Sequence, residues 1–353
     1  MKKSIMFLAC AALMSASAFA QVPDVKAMEQ NAAALYDEGK ALIEKYDGLF
    51  AKAQLDPNAA TESRVERADA LLKGFDILQQ ALKADSIPEF DKKTGMQKTD
   101  KNGNLKFKTK NSKNIINLLS GHFNDIGSIA DDCLNARDYA NACRGYKYFA
   151  DMVDSPFAKK NNISLPDSTK GLVRFYEAIS AYEVKDFAHA YTAISQALDL
   201  KYADPQAVNY FNASLQELAQ PKIDAKDYAG AKAIIQGAID KYPTNPYPFL
   251  IMGSVVEQES GIDQAKSFYH KISEIDPSNV FGYFHEGRCI YEAAVKYIND
   301  NPNATSHQLA PKVSPMFKEA REFFVKAKGL DKDNSTNATR YIEDIDYKLE
   351  QLK

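Results

Sequence analysis
Tryptophan is absent from the sequence, and cysteine occurs only four times, at Cys10, Cys133, Cys143 and Cys289. Only three of them, Cys133, Cys143 and Cys289, lie beyond the first 20 residues, and an odd number makes no disulfide framework. A basic surplus is also missing: 44 Lys and Arg stand against 47 Asp and Glu, a formal net charge of −3. This argues against a general nucleic-acid binder, which needs a clear excess of positive charge. No stretch is apolar for long enough to cross a membrane; the longest such run, Ile5–Met14, is too short.

Signatures of chemistry are lacking as well. There is no G-x-S-x-G, no Gly-rich phosphate loop and no H-E-x-x-H. His285-Glu286 begins a metalloprotease pattern, but no second histidine completes it. The five histidines are scattered without ligand spacing. The stretch Asp100–Asn104 has the texture of a calcium loop without its required glycine position or distal glutamate. The expectation is a protein without metal or cofactor that is not an enzyme.

The chain begins with Lys2 and Lys3, continues with the apolar run, and reaches Ala18-Phe19-Ala20 before Gln21. This is the pattern of a secretory signal peptide over 1–20 and predicts export, here to a bacterial periplasm. Cys10 follows too few apolar residues to favour a lipoprotein signal. Without the two leader lysines the formal charge falls from −3 to −5. About 330 residues remain, more than one compact core usually organises, which suggests several domains or an elongated repeat array.

Against this background one phrase is written three times: RDYANA from Arg137, KDFAHA from Lys185 and KDYAGA from Lys226. After the final alanine of each, apolar residues follow at offsets of four and seven: Tyr146 and Phe149, Ile194 and Ala197, Ile235 and Ala238. That is one face of a helix. Twelve residues before each alanine stands another, Ala130, Ala178 and Ala219, within a preceding helical pattern. The unit is therefore helix, tight polar turn, helix, with small residues where the helices approach. Two further units keep the frame without the phrase. Phe249, Met252, Gly253 and Val256 precede Ala265, Tyr269 and Ile272; Tyr283, Gly287 and Ile290 precede Ala320, Phe324 and Ala327.

This pattern resembles the tetratricopeptide repeat (TPR) family over roughly Asn114 to the C-terminus. Pro246–Pro277 is the best-matched segment, with Phe249 in place of the usual tryptophan. The resemblance implies an all-α, helical-hairpin solenoid wound as a right-handed superhelix. The spacing departs from the family in places. Pro221 falls inside a first helix and should kink or end it. The segment near 293–315 should lengthen a turn or extend both helices past it.

The expected organisation is a degenerate helical repeat over 21–90, an insertion over 91–113, repeats over 114–334 and a polar capping helix over 335–353. The insertion carries eight lysines between Lys92 and Lys113, with Asn102-Gly103 as a hairpin turn. It predicts a small β-hairpin or ordered loop. It could dock on an anionic envelope surface, although lysines that merely guard an exposed strand are the preferred reading. Cys133 and Cys143 flank the turn at Asp138 symmetrically. They could oxidise to a disulfide, but two buried thiols are preferred.

Some first helices carry a second stripe beside the core one: Leu172, Phe175, Ile179 and Tyr182; Tyr247, Leu250, Ser254 and Glu257; Phe281, Phe284, Arg288 and Tyr291. In TPR proteins the first helices line a concave face that grips a peptide or protein. By that resemblance Phe175, Tyr182, Tyr247, Leu250, Glu257, Phe284, Arg288 and Tyr291 would line the groove, or else pack neighbouring repeats. The latter is preferred for the Leu172 stripe. The expected function is a non-enzymatic protein–protein interaction scaffold of the bacterial cell envelope. A small-ligand or glycan binder using the same groove is the alternative.

Overall fold
A computed structural model describes residues 24–353, which form two compact units divided between Cys133 and Leu134. The expected signal peptide and Cys10 lie outside the described residues.

The first unit opens with α1 (Val25–Leu55), the short α2 (Pro57–Glu62) and α3 (Arg64–Ala84). Two glycines let α1 and α3 approach closely. A Cβ on Gly39 would meet Leu78 Cγ at 2.8 Å, and one on Gly74 would meet Ile43 Cδ1 at 2.9 Å. Since 39 faces 78 and 43 faces 74, the two helices run antiparallel. Leu71, Leu78 and Ala81 are fully buried between them.

The hairpin expected over 91–113 opens earlier, inside the span expected to be helical, with strand β1 (Ile87–Pro88) paired antiparallel to β2 (Phe107–Lys108). Between them the bridges Phe90–Gln97 and Thr99–Leu105 close two further turns. At the second, Gly103 adopts φ +84°, and Asp100 accepts from the amides of Asn102 and Asn104. Helices α4 (Ser112–Gly121) and α5 (Phe123–Asn135) come next. The amides of Lys110, Asn111 and Ser112, together with the Ser112 hydroxyl, all donate to buried Asp85. Burial opposes ionisation of Asp85, but these donors outweigh it and hold its carboxyl below the usual range.

The second unit contains α6 (Tyr139–Val153), the short α7 (Pro156–Lys160), then α8 (Asp167–Glu183), α9 (Phe187–Asp199), α10 (Pro205–Asp224), α11 (Tyr228–Lys241), α12 (Tyr247–Ser260), α13 (Ile262–Ile275), α14 (Val280–Asn299), α15 (Ser306–Leu330) and α16 (Ala338–Gln351). Pairs α8–α9, α10–α11, α12–α13 and α14–α15 pack as helical hairpins, and each hairpin packs on the next. The alanines of the repeated phrase, Ala142, Ala190 and Ala231, are fully buried.

The phrase itself has a conformational reading. Arg137, Lys185 and Lys226 have φ of 59°, 63° and 57°, in the left-handed region. The Lys185 amide donates to Tyr182 and the Asp186 amide to Ala181; the Lys226 and Asp227 amides donate equivalently to Ile223 and Lys222. These are Schellman closures of the first helix. The next residue, Asp138, Asp186 or Asp227, then accepts from the amide three positions on and caps the second helix.

One expectation changes. Helix α10 does not end at Pro221 but runs on to Asp224. Proline there removes only one amide, in the last turn and on an exposed face. Of the two readings for Cys133 and Cys143 the preferred one stands: both are free, buried thiols and no disulfide joins them. The long insertion does extend both helices: α14 and α15 run 20 and 25 residues, joined by a turn that Thr305 and Gln308 close as a capping box.

Candidate functional site
Successive first helices α10, α12 and α14 share a groove of about 400 Å³. Gln216 and Gln220 come from α10, Tyr247, Leu250 and Glu257 from α12, and Phe281, His285 and Arg288 from α14. Successive members of each set are three, four or seven residues apart, so a helix presents them along one line.

The centre of the groove is polar. Arg288 pairs with Glu257, which also accepts from the Tyr269 hydroxyl at 2.9 Å. Burial, then that hydrogen bond, raises the Tyr269 phenol above its ordinary range, so the hydroxyl keeps its proton and donates. The His285 ring stacks on the Tyr269 ring with centroids 4.5 Å apart and planes 18° from parallel. Burial, with the charge of Arg288, pushes His285 down to about 4, so the imidazole is neutral at pH 7. Its Nδ1 and the Nε of Arg288 are buried without a hydrogen-bond partner.

The charges of Glu257 and Arg288 cancel, leaving amides and hydroxyls as the polar reach of the surface. Gln216 Nε2 donates to Gln220 at 2.8 Å, and Gln220 Nε2 donates to Asp224 at 2.7 Å. Tyr247, Leu250 and Phe281 supply apolar area beside them.

The expected lining residues divide. Tyr247, Leu250, Glu257 and Arg288 meet in the groove. Phe175 does not line it: only 4% exposed, it packs among Tyr176, Tyr202 and Tyr210 in the core. Tyr182 packs edge-on to Phe187 and Tyr210. Phe284 and Tyr291 turn towards α16 and pack on Tyr341, and the Tyr291 hydroxyl donates to Asp344. At 3.6 residues per turn, these two lie about 60° and 80° around the helix from Phe281. His285 and Arg288 stay within about 40° of Phe281, which is why they face the groove instead.

Gln216, Gln220, Tyr269 and His285 were not legible as site residues in the sequence. Their only signal was helical spacing, which surface residues share. The adjacent pair His285-Glu286 separates: His285 faces the groove, while buried Glu286 accepts from His270 and Ser273. Among the described residues no helix is long and apolar enough to cross a membrane.

No family model matches the sequence, and no curated protein does. Similar solved structures exist. One is a TPR repeats protein from Bacteroides fragilis, 16% identical, covering 64% of this chain and 98% of its own, with a TM-score of 0.40. Another is MamA from Desulfovibrio magneticus, 15% identical, covering 61% and 97%, with a TM-score of 0.33. A third is YrrB, described as a TPR protein with an unusual peptide-binding site, 15% identical, covering 59% and 85%, with a TM-score of 0.31. The second unit, with its consecutive helical hairpins closed by buried alanines, has the tetratricopeptide-type architecture that the sequence resembles.

Proposed function
We propose that this chain is a non-enzymatic interaction scaffold that takes an extended segment of a partner protein into the groove across α10, α12 and α14. The observation that carries this reading is the groove itself, built by three successive first helices with apolar patches beside amide side chains. Such a lining suits a neutral peptide, whose backbone groups the glutamines can meet and whose apolar side chain rests on Tyr247 and Leu250. The groove is the concave face of the solenoid in this reading. The leader-like start supports action in the bacterial periplasm, and N-terminal sequencing of the exported chain should begin at Gln21.

The test is selection from a displayed library of random peptides, followed by calorimetry with the full chain and a Tyr247→Ala/Leu250→Ser variant. Selected neutral peptides that lose at least tenfold in affinity with the variant support the reading. Peptides that bind both proteins equally, or a library that yields none, overturn it. Selective binding of oligosaccharides in a parallel screen would instead favour the glycan alternative.

A second surface has its own supporting observation. On the lysine-rich insertion Met96, Leu105 and Phe107 are exposed large apolar side chains. Apolar tips among lysines suit peripheral contact with an anionic envelope surface.

A further inference from the structure
Helices α6, α8 and α9 bring together three residues that play no part in the groove. Cys143 Sγ lies 3.5 Å from His189 Nδ1, and His189 Nε2 lies 2.6 Å from Glu177 Oε1. Glu177 is 1% exposed, and its other oxygen accepts from Arg174 Nη1 at 2.7 Å. Arg174 is held in turn by Asp151 at 3.0 Å, and Asp151 by Lys147 at 2.6 Å.

The chain of contacts sets the tautomer. Ionised Glu177 can only accept, so Nε2 of His189 carries the proton. Nδ1 is then the nitrogen that faces Cys143 Sγ and takes up its proton. This is a nucleophile, a base and a group that orients the base. The other charge near Nδ1 is Asp186, 3.9 Å away, which also favours a proton on the ring. The Cys143 contact, then the Glu177 hydrogen bond, raises His189 to about 10 against the opposing effect of burial.

The other cysteines of the described residues have different settings. Cys289 donates to the Ile262 carbonyl, and burial pushes its thiol up to about 12. Cys133 is fully buried. Cys143 keeps 8% exposure, with Ala181, Ala190 and Tyr182 packed about it, so only a small reagent can reach its sulfur.

We propose that Cys143 is a base-assisted reactive thiol, oxidised to a sulfenic acid by hydrogen peroxide or a small alkyl hydroperoxide. In the reactive pair the proton lies on His189 Nδ1, so an imidazolium stands beside the Cys143 thiolate. The thiolate attacks the terminal peroxide oxygen, an S–O bond forms and the O–O bond breaks. Sulfur loses two electrons to the peroxide, and the leaving hydroxide or alkoxide takes the proton from Nδ1, departing as water or alcohol. His189 is left as the neutral imidazole, and the product is the first, reversible rung of cysteine oxidation.

The reduced full chain would be treated with hydrogen peroxide at pH 7 for timed intervals, the peroxide destroyed with catalase, the chain unfolded in urea containing dimedone, which traps sulfenic acid, and the label mapped by mass spectrometry. The expected result is labelling of Cys143 at least tenfold faster than Cys289. It should also be tenfold faster than Cys143 of the same chain unfolded in urea, where its thiol has no base beside it. A His189→Asn variant with unchanged far-ultraviolet circular dichroism should lose this advantage. Labelling of folded Cys143 no faster than in urea, or unchanged by His189→Asn, would overturn the proposal. Should that variant not fold, the comparison of folded with unfolded wild type decides alone.

Discussion

Arg288 of α14 and Glu257 of α12 form an ion pair across two successive hairpins, and Tyr269 of α13 donates to the same carboxylate. Three helices are thereby tied at one oxygen, at the centre of the groove. Both charged side chains remain about a quarter exposed, so the pair is partly screened. Replacing Glu257 by Ala leaves Arg288 uncompensated, with Nε already unpaired. The expected loss is about 1–2 kcal/mol in urea denaturation. A Glu257→Gln/Arg288→Gln double variant should lose less than the sum of its single changes, as a double-mutant cycle would show.

The repeated turn places lysine where the backbone is left-handed. A Cβ there costs about 1–2 kcal/mol, whereas glycine brings roughly 0.5–1 kcal/mol of extra chain entropy to lose. Lys185→Gly and Lys226→Gly should therefore each stabilise the chain by about 0.5 kcal/mol. Asp186→Ala and Asp227→Ala remove the helix caps that follow, and each should destabilise by about 1 kcal/mol. Thermal denaturation of the four variants would read opposite shifts at neighbouring residues.

Gly253 faces the Tyr269 ring, and an added Cβ would meet its Cε1 at 2.5 Å. The ring cannot retreat freely, because its hydroxyl is tied to Glu257 and its face to His285. Gly253→Ala should cost about 1–3 kcal/mol, and it should weaken peptide binding by displacing Glu257 and His285. Full stability and unchanged binding in this variant would contradict the packing described.

Two histidines should shape the pH dependence of stability with opposite sign. His285 sits at about 4 in the folded chain, so between about 4 and 6.5 the unfolded chain binds more protons. Its contribution is lost as pH falls through that window. His189 sits at about 10, so its contribution is full below about 6.5 and is lost as pH rises towards 10. Denaturant midpoints measured from pH 4 to 10 should show a flatter acid limb for His285→Gln and a flatter alkaline limb for His189→Gln.

If the insertion contacts an anionic surface, the full chain should cosediment with phosphatidylglycerol vesicles at low salt and be released as salt rises. A Leu105→Ser/Phe107→Ser variant should bind about tenfold more weakly, since each loses apolar area that would enter the interface. Absence of sedimentation at low salt would leave the lysines as guards of an exposed hairpin.

Much of the fold is local and was legible in the sequence. Offsets of four and seven put Ala190, Ile194 and Ala197 on one face of a helix, and all three are fully buried. The Asn102-Gly103 turn follows from glycine's freedom at positive φ. The role of Lys185 was not legible, because lysine carries no preference for a left-handed backbone. Only the hydrogen bonds that close α8 impose it.

The site was legible only in part, and the reason is angular. Helical period assigns a residue to a face, but it does not say which neighbour that face meets. Phe281, Phe284, Arg288 and Tyr291 form one stripe in the sequence, yet Tyr341, fifty positions beyond Tyr291, draws Tyr291 and Phe284 away from the groove. The meeting of Cys143, Glu177 and His189 is likewise a product of three packed helices. The sequence by itself determined the helices, their small-residue contacts and the turns between them, because those depend on residues a few positions apart. Tertiary packing alone decided which side chains share the groove and which cysteine meets a base, because those contacts join residues that local spacing leaves independent.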